Sequence, residues 1–527
     1  MMGRLRRLHP FLFVIIPVVN VMARNPGGAT LRDVLTLALA MLVACAVVYA
    51  AATLALRRRL QKDAVPLLVL VAVVLFYAYP VFRTAYNQSR DEPGRLVMTA
   101  AVVFAVMVAA LPGLWWLARR PALLIRANTF LAIMGLLLVA FLGARVFADQ
   151  LRARSQLRSS GLASRLSQPI QAKSKSNSET KPLQDIYIII LDEYANSSVL
   201  RERFNFDNRA FEDSLRRLGF MVPASVRSNY VHTLLSLPSL LNFSYLTDLG
   251  TELGPRETDP TLPNHLVENN RTVSFLKNRG YRFVFFPSQW WISTERNRHA
   301  DSQFKPWEGF HLGRAATRSD LRRAFVSRTP LALLHHGDSH DADHVKRILG
   351  ALARLPSDSA PTFALAHVLN PHYPYVFDAA CKPHARRPAR RWGHGREEDY
   401  LEQVRCLNKL LLATVTQLLQ HSEPEPIILL VGDHGTNSLG YNTASTAEAV
   451  SPEQARERLG AFGAFRLPTG SKLTAPDAVT LVNLIPILLN NYFDAGLPLS
   501  ADSLYMSLEQ TPYLFAPVDP VALTPPQ

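Results

Sequence analysis

Acidic and histidine side chains directly follow two strongly apolar runs of the sequence. Asp192 and Glu193 come after the run IYIIIL, and Asp433 and His434 come after the run PIILLVG. A carboxylate beside an imidazole is a typical ligand set for a divalent metal. An aspartate after a strand is often only a helix N-cap, so each group alone also has a structural interpretation. Their equivalent positions after two apolar runs favour a shared metal site.

A third apolar run, TFALAHV, precedes another candidate residue for the site. His372 follows this run after a short turn, within the sequence Asn-Pro-His-Tyr-Pro. An imidazole near a metal could contact an anionic substrate or move a proton during the reaction. A single histidine is more often structural than functional, so this residue gains weight only from its position beside the other two strand ends.

The segment SNYVHTLLSLPSLLN contains the hydroxyl groups that could serve as a nucleophile. Its serine and threonine residues are Ser228, Thr233, Ser236 and Ser239, and Asn229 lies among them. A hydroxyl at the start of a helix lies at the positive end of the helix dipole. If it also contacts a divalent metal, its pKa falls and it can attack as an alkoxide. Helix capping is the structural alternative for such a cluster.

The elements that must position these groups belong to an α/β fold. Four short runs are apolar throughout, namely IYIIIL, YRFVFF, TFALAHV and PIILLVG. Strands that are apolar on both faces are typical of a parallel sheet covered by helices. Helical patterns lie between them, such as NRAFEDSLRRLG and EDYLEQVRCLNKLLLATVTQLLQH. Ligands of such folds bind at the carboxyl ends of the strands, which is where the candidate residues lie.

The first 150 residues have a different character and predict a membrane domain. Each of five apolar stretches approaches the length that crosses a bilayer; they are 10–23, 34–56, 64–83, 96–117 and 128–148. A signal peptide is the alternative for the first stretch, but four more follow it without a cleavage site between. Lys and Arg are more frequent in the loops that a cytoplasmic N-terminus would place inside, so the chain after residue 150 is expected outside.

Composition excludes several other classes of protein. The chain has 527 residues, 48% of them hydrophobic and 19% charged, which rules out general disorder. The net charge of +15 is not a nucleic-acid signal, because much of the arginine flanks the apolar stretches. Three cysteines are too few for a disulfide scaffold or a cysteine-rich zinc protein. Cys381 and Cys406 both lie outside in this topology, so a disulfide between them is permitted but not required.

Together these signals predict a transmembrane domain of about five helices over 1–148. A juxtamembrane helix and polar linker over 149–183 would connect it to one catalytic domain over 184–527.

The region 184–500 resembles the superfamily of sulfatases and alkaline phosphatases. With its apolar N-terminal part, the chain looks like the membrane-bound branch that includes lipoteichoic-acid synthases and lipid A phosphoethanolamine transferases. The resemblance is carried by six segments in the family's order: IYIIILDEYA, SNYVHTLLSLPSLLN, LNPHYPYVFD, YLEQVRCLN, LLVGDHG and AFGAFRLP with VTLVNLIPILLNNYF. The chain lacks a Cys-x-Pro-Ser-Arg motif, so it does not resemble sulfatases that use formylglycine.

This resemblance implies a role for each matching position. Thr233 matches the nucleophilic threonine of the transferase branch, and His372 matches the histidine that contacts the phosphate or sulfate group. The implied metal ligands are Asp192, Thr233, Asp433 and His434, and the further candidates for the site are Glu193, Ser236 and Asn229. One divalent ion is expected, Zn²⁺ or Mn²⁺, with Ca²⁺ or Mg²⁺ as alternatives.

The resulting hypothesis is a metal-dependent transferase in a bacterial inner membrane, with a periplasmic or extracellular catalytic domain. It would move a phospho-head group, of the phosphoethanolamine or phosphoglycerol type, from a phospholipid donor to an envelope glycan or lipid through a threonine-linked intermediate. A phosphodiesterase or sulfuric ester hydrolase of the same fold is one alternative. A catalytically degenerate envelope-binding module is the other. The lipid membrane, the donor and the acceptor are the expected partners, and nucleic acid is not.

Overall fold

The structure is a computed structural model of the full chain. It describes residues 5–24, 30–58, 61–81, 113, 116–117, 119–170, 183–288, 292–305, 320–334, 337–355, 360–383, 397–469 and 477–523. The chain divides into two compact units. The first comprises Met1–Arg154 and Phe310–His335, and the second comprises Ser155–Gly309 and His336–Gln527.

The first unit is helical in the part that is described. In chain order its helices begin with α1 (His9–Arg24), α2 (Leu31–Leu56), α3 (Val65–Tyr77) and most of α4 (Pro121–Ser159). Of the described helices, α2 and α4 are long and apolar enough to cross a membrane, with mean hydropathies of 2.5 and 2.3 over their best windows. The apolar helices α1 and α3 are shorter. The fourth predicted stretch, 96–117, lies almost entirely outside the described residues, so the five-span arrangement stays a prediction.

The second unit is built on a six-stranded sheet. The strands in the described part of this unit are β1 (Ile186–Leu191), β2 (Ser225–Arg227), β3 (Arg282–Phe286), β4 (Ser302–Gln303), β5 (Thr362–Val368), β6 (Ile427–Gly432), β7 (Gly460–Ala461), β8 (Gly463–Arg466), β9 (Ala478–Thr480), β10 (Leu504–Leu508) and β11 (Thr511–Val518). The main sheet has the order β4-β3-β5-β1-β6-β8, and every neighbouring pair is parallel except β6 and β8. A three-stranded sheet, β7-β2-β9, and the hairpin β10-β11 complete the strands.

Helices of the second unit flank the sheet. They are α5 (Gly161–Ser167), α6 (Ser197–Phe204), α7 (Arg209–Arg217), α8 (Thr233–Asn242), α9 (Asp248–Glu252), α10 (Thr261–Glu268), α11 (Arg271–Lys277), α12 (Ile292–Glu295), α14 (Gly337–Leu352), α15 (Glu397–His421), α16 (Pro452–Leu459) and α17 (Leu481–Phe493). Helix α13 (Asp320–Ser327) belongs to the first unit. The predicted linker is helical up to Ser167, and residues 171–182 lie outside the described part of the chain.

The central strand β1 explains why its sequence is apolar without alternation. Tyr187, Ile189 and Leu191 belong to one buried cluster, whereas the side chains between them belong to a second cluster. All six residues of β1 are buried because helices cover both faces of the sheet. The predicted α/β fold of the second unit, with a mostly parallel sheet, is therefore present.

The register of the sheet places three strand ends side by side. Leu191, the last residue of β1, pairs with Val368 of β5 on one side and with Gly432 of β6 on the other. Residues that follow these three positions therefore emerge at the same edge of the sheet. Farther along the chain, Cys381 and Cys406 form a disulfide, a pairing that the sequence had left open.

Candidate active site

The carboxyl ends of β1 and β6 bring two carboxylates together. The backbone N–H of Glu193 donates a hydrogen bond of 3.0 Å to Asp433 Oδ1, and the N–H of His434 donates one of 2.9 Å to the same oxygen. Asp192 continues the ladder, because its N–H donates to the Val368 carbonyl at 3.0 Å. Both aspartates are buried, so their charges need nearby compensation.

The turn after β6 is tight, and glycine is required on both sides of Asp433 and His434. A Cβ on Gly432 would lie 2.4 Å from the Tyr194 carbonyl oxygen. A Cβ on Gly435 would lie 2.0 Å from the carbonyl oxygen of Glu457. Neither distance is sterically possible, so the spacing Gly-Asp-His-Gly holds the two functional side chains against the neighbouring backbone.

Thr233 meets this pair from another part of the chain. It is the first residue of α8, and its Oγ1 donates a hydrogen bond of 2.7 Å to Asp433 Oδ2. The same oxygen lies 3.1 Å from His434 Nε2. Thr233 is separated from these residues by about 200 positions in sequence, so only folding brings the hydroxyl to the metal-ligand candidates.

The other hydroxyl and amide candidates of this segment make different contacts. Ser228 Oγ donates to the Tyr230 carbonyl, and Ser239 Oγ donates to the Ser244 carbonyl. Asn229 is buried and bridges Ser503 and Val482 through hydrogen bonds of 2.9 and 2.8 Å. Ser236 is buried one turn after Thr233, and its Oγ has no hydrogen-bond partner among the described residues. Within the segment, Thr233 is the residue whose side chain contacts Asp433 and His434.

His434 presents one ring nitrogen to the site. Its Nδ1 lies 3.1 Å from the Gly435 carbonyl, an acceptor, which assigns the ring hydrogen to Nδ1. Nε2 therefore carries the acceptor lone pair of the ring, and it lies 3.3 Å from Asp433 Oδ2 and 3.8 Å from Asp192 Oδ1. A backbone partner that fixes the tautomer in this way is common for histidines that bind metals.

His367 is a member of the site that sequence reasoning missed. It lies within β5, where it pairs with Ile190, and its Nε2 is 3.6 Å from Asp192 Oδ2. Both ring nitrogens are buried without a hydrogen-bond partner among the described residues. Its ligand atom lies within 4.8 Å of those of Asp192 and Asp433. A histidine inside an apolar run looks like a core residue, so the sequence offered little signal for it.

Arg458 is a second residue that the sequence did not single out. It is buried near the end of α16, and its Nη1 donates to Glu193 Oε1 and to the Gly435 carbonyl, both at 2.8 Å. Its Nη2 lies 3.2 Å from His434 Nε2. Glu193 has a positive φ of 63° and points its carboxylate toward this guanidinium. The two adjacent carboxylates therefore have different partners. Asp192 faces His367 and His434, whereas Glu193 forms an ion pair with Arg458.

His372 lies at the more open side of the site. Its backbone N–H donates to the Asp192 carbonyl at 3.0 Å, which ties the turn after β5 to the end of β1. Its Nδ1 hydrogen-bonds the Tyr373 carbonyl, and its Nε2 is 3.9 Å from Glu193 Oε2. The side chain is 25% exposed, far more than the aspartates. This position suits contact with a substrate rather than a buried ligand role.

Burial and crowding shift the ionisation of the site. Burial, reinforced by Asp433 and Glu193, raises the pKa of Asp192 well above its ordinary value. Burial also raises the pKa of Asp433 to about 6, although hydrogen bonds from Glu193 N–H and Thr233 oppose the shift. Burial lowers the pKa of His367 to about 3 and that of His434 well below its usual range. Both imidazoles are therefore neutral at pH 7, the form that binds a metal.

The residues present fit a divalent cation. Two ligands about 2.0–2.2 Å from a tetrahedral metal lie roughly 3.3–3.6 Å apart. The contacts among Thr233, Asp433, His434 and Asp192 range from 2.7 to 3.8 Å. Asp192 Oδ1 is buried and has no hydrogen-bond partner among the described residues. An unsatisfied buried carboxylate oxygen beside neutral imidazoles is the feature that a cation would stabilise.

These groups open into a cavity of about 360 Å³. Residues of the site that line it are Asp192, Thr233, His367, His372, His434 and Arg458. His232, Leu234, Thr258, Pro260, Glu509 and Pro512 form the rest of its wall. The cavity therefore gives a ligand access to the hydroxyl, the carboxylate and the guanidinium from one side.

Comparisons with known proteins identify the family of the chain. The sulfatase family model matches residues 188–485. No curated protein matches the sequence. Among solved structures, the chain is similar to the C-terminal periplasmic domain of EcEptC from Escherichia coli, with 13% identity and a TM-score of 0.42. That alignment covers 65% of this chain and 94% of the other.

Two further solved structures are distantly similar. The lipoteichoic acid synthase LtaP from Listeria monocytogenes aligns with 12% identity and a TM-score of 0.36, over 63% of this chain and 75% of that one. BT1596, a 2-O GAG sulfatase, aligns with 15% identity and a TM-score of 0.35, over 61% and 72%. Because the family model covers more than half of the 527 residues, the chain belongs to the sulfatase family and is a hydrolase or transferase of that family.

Proposed function

We propose that the protein is a metal-dependent transferase that moves a phospho-head group through a covalent intermediate on Thr233. The observation that carries this proposal is the contact of Thr233 Oγ1 with Asp433 Oδ2 at 2.7 Å and with His434 Nε2 at 3.1 Å. A threonine hydroxyl at a helix N-terminus, in contact with a carboxylate and a neutral imidazole, has both a proton acceptor and a favourable dipole.

The residues that would hold the metal are Asp192, Thr233, Asp433 and His434, and His367 offers a fifth donor. A bound divalent cation would lower the pKa of the threonine hydroxyl and stabilise negative charge on the substrate. One such ion also matches the charge of the site. Asp192, Glu193 and Asp433 contribute three negative charges and Arg458 one positive charge, which leaves two to be balanced. We propose that this ion is Zn²⁺ or Mn²⁺.

The covalent step uses groups of this chain. Thr233 Oγ1 forms a bond to the phosphorus of a phosphodiester, and its proton passes to Asp433 Oδ2, to which it is already hydrogen-bonded. The bond from phosphorus to the leaving alcohol breaks, and that alkoxide takes a proton from His372 or from water. A second alcohol then attacks the phosphothreonine and gives its proton to the group that protonated the first leaving alkoxide. The Thr233 oxygen takes back the proton held by Asp433, which regenerates the enzyme and completes the transfer. Because the phosphodiester donor is already activated, the transfer needs no ATP.

The membrane supplies the proposed donor. Helices α2 and α4 are long and apolar enough to span a bilayer, and they leave large side chains exposed, such as Leu39 at 63% and Phe141 at 66%. Broad exposed apolar surface is typical of contact with lipid. We place the chain in a bacterial inner membrane with five spans and the second unit on the periplasmic or extracellular side. A phospholipid head group would be the donor, and an envelope glycan or lipid the acceptor.

Hydrolysis is the second candidate, because the matching family model is that of the sulfatases. A phosphodiesterase or sulfuric ester hydrolase would use the same Thr233 and metal, with water attacking the intermediate. The two candidates differ only in the acceptor. Product analysis with a labelled lipid donor, in the presence and absence of an envelope-lipid acceptor, separates transfer from hydrolysis.

The test of the nucleophile is Thr233→Ala in the full-length protein. We expect loss of turnover, by a factor of at least about 10³, together with loss of a phosphorylated Thr233 peptide in mass spectrometry of donor-treated enzyme. Ser236→Ala, one turn further along α8, is the matched control and should keep both signals. Full activity of Thr233→Ala would eliminate the covalent scheme.

A further inference from the structure

A second cavity, of about 460 Å³, lies in the second unit and shares no lining residue with the cavity at Thr233. One of its walls consists of residues 166–170, which are the end of α5 and the chain that follows it. Helix α11 and the residues on either side of it form most of the remaining wall. The proposed chemistry at Thr233 makes no use of this cavity.

Two half-buried arginines line the second cavity, and each has its guanidinium group on an aromatic ring. The guanidinium carbon of Arg279 lies 3.5 Å from the ring centre of Phe275 and 5.5 Å from that of Phe493. The guanidinium carbon of Arg271 lies 5.2 Å from the ring centre of Phe243. Stacking uses the face of a guanidinium group and leaves its N–H groups, which lie in the plane, available to an anion.

Neither guanidinium group forms an ion pair with a carboxylate of the described residues. Arg271 Nε is buried and has no hydrogen-bond partner in that part of the chain. Arg279 Nη1 donates a long hydrogen bond of 3.4 Å to the Phe275 carbonyl. Burial lowers the pKa of both arginines, and the charge of Arg165 lowers the pKa of Arg271 further. A partly buried charge without a counter-ion costs free energy, which a bound anion would offset.

The other charged side chains that line this cavity already have counter-ions. Lys277 Nζ lies 2.6 Å from Asp301 Oδ1. Glu268 Oε2 lies 3.3 Å from the guanidinium group of Arg298. Pairing therefore leaves the positive charges of the two stacked arginines uncompensated, and the cavity is suited to an anion rather than a cation.

The cavity is close in the chain to the last predicted membrane stretch, 128–148. About 18 positions separate the end of that stretch from Leu166, and the chain between them is helical apart from Ser160. At 1.5 Å per residue this path is about 27 Å long. Helix α5 is held to the second unit by Glu252, which accepts hydrogen bonds from the Leu162 N–H at 2.7 Å and from the Ser160 hydroxyl at 2.5 Å. In the proposed membrane arrangement, one wall of the cavity is therefore tethered near the lipid head groups.

We propose that this cavity binds a phosphate-bearing anion, with Arg271 and Arg279 as its charged donors. Guanidinium groups match the geometry of phosphate oxygens and hold them through charge-assisted hydrogen bonds. Free phosphate and the head group of an anionic phospholipid share this chemistry. The site is separate from the one at Thr233, so the proposal is independent of the covalent scheme.

The experiment measures the affinity of the full-length, detergent-solubilised protein for two probes, inorganic phosphate and dihexanoyl phosphatidylglycerol. Every sample carries Thr233→Ala, so that the lipid is not consumed and any binding at the first cavity is the same throughout. The variants are Arg271→Gln and Arg279→Gln. The matched control is Arg201→Gln, which removes the same charge from an exposed position of α6 on the other face of the sheet.

We expect each of the two cavity variants to bind the anion about tenfold more weakly, because each loses one charge-assisted contact, and the control to bind it normally. Loss of affinity for both probes would identify the phosphate group itself as the ligand. Loss of affinity for the lipid probe alone would identify a lipid head group. Either result supports the site.

Arg271→Lys and Arg279→Lys keep the charge but lose the planar donors, so their affinities should fall between those of the glutamine variants and the wild type. If a glutamine variant misfolds by circular dichroism, the lysine variant at the same position carries the test. Folded variants at both positions that bind both probes as tightly as Arg201→Gln would overturn the proposal.

Discussion

Asp433→Asn should stabilise the metal-free protein while abolishing its metal binding. The wild-type carboxylate is fully buried, and burial raises its pKa from 3.8 to about 6. Because the folded-state pKa lies above the unfolded value, this carboxyl contributes stability that is complete below about pH 4. That stability is lost as the pH rises through about 6.

The size of the effect follows from the shift. Two pKa units correspond to about 3 kcal/mol, with about half of it lost by pH 5 and nearly all by pH 7. An asparagine keeps the hydrogen bonds, because its amide oxygen can accept from the N–H groups of Glu193 and His434 while its NH₂ group donates to Thr233. The substitution therefore removes the buried charge without creating an unpaired group.

The assay is thermal unfolding of the full-length protein in EDTA at pH 5 and pH 8, beside Asp343→Asn as a control at an exposed aspartate. At pH 8 we expect the metal-free Asp433→Asn variant to melt about 5 °C above the metal-free wild type, and the gap to narrow at pH 5. Added Zn²⁺ should stabilise the wild type and leave the variant unchanged. A metal-free wild type at least as stable as the variant at pH 8 would refute the idea of an uncompensated carboxylate.

Two other predictions follow from contacts in the second unit. His367→Ala should weaken Zn²⁺ affinity at least tenfold in a chelator competition. The His367 Nε2 has no hydrogen-bond partner in the described part of the chain, and it lies 3.6 Å from Asp192 Oδ2. The ring of His372 faces Glu193 instead, so His372→Ala should not weaken Zn²⁺ affinity. Equal Zn²⁺ affinities in the two variants would remove His367 from the ligand set. Replacing Cys381 and Cys406 together by serine opens a link with a sequence separation of 25 and should lower the free energy of unfolding by about 3–4 kcal/mol. Urea unfolding measures this loss, and a midpoint unchanged from that of the oxidised wild type would contradict it.

Strand positions were the part of the fold most open to prediction. The runs IYIIIL, TFALAHV and PIILLVG all correspond to central strands, because only a strand covered on both faces needs an unbroken apolar sequence. From those runs alone, the residues after them could be assigned to one edge of a sheet. The N-terminal part was harder, since apolarity indicates a membrane helix but not how many stretches form complete spans.

The residues of the candidate site also differ in how well the sequence predicts them. Asp433 and His434 stand at a recognisable position after a strand, between two glycines. His367 is hidden inside a strand, where a buried histidine and a buried apolar residue give the same pattern. Arg458 lies in the helix PEQARERL, whose several charged residues look like a solvent-exposed face. Its burial is set by the approach of α16 to the turn after β6, which no local pattern encodes.

The sequence by itself determined the elements and their class, because hydrophobic periodicity and strand-end residues are local properties of the chain. It also determined the set of hydroxyl, carboxylate and imidazole groups available for chemistry. Tertiary structure alone decided which of them meet. Thr233 is selected over its neighbouring hydroxyls by its 2.7 Å contact with a carboxylate 200 residues away, and Glu193 is turned from the metal ligands toward a buried arginine. Such choices depend on long-range packing, which places side chains to within an ångström and is not written in sequence spacing.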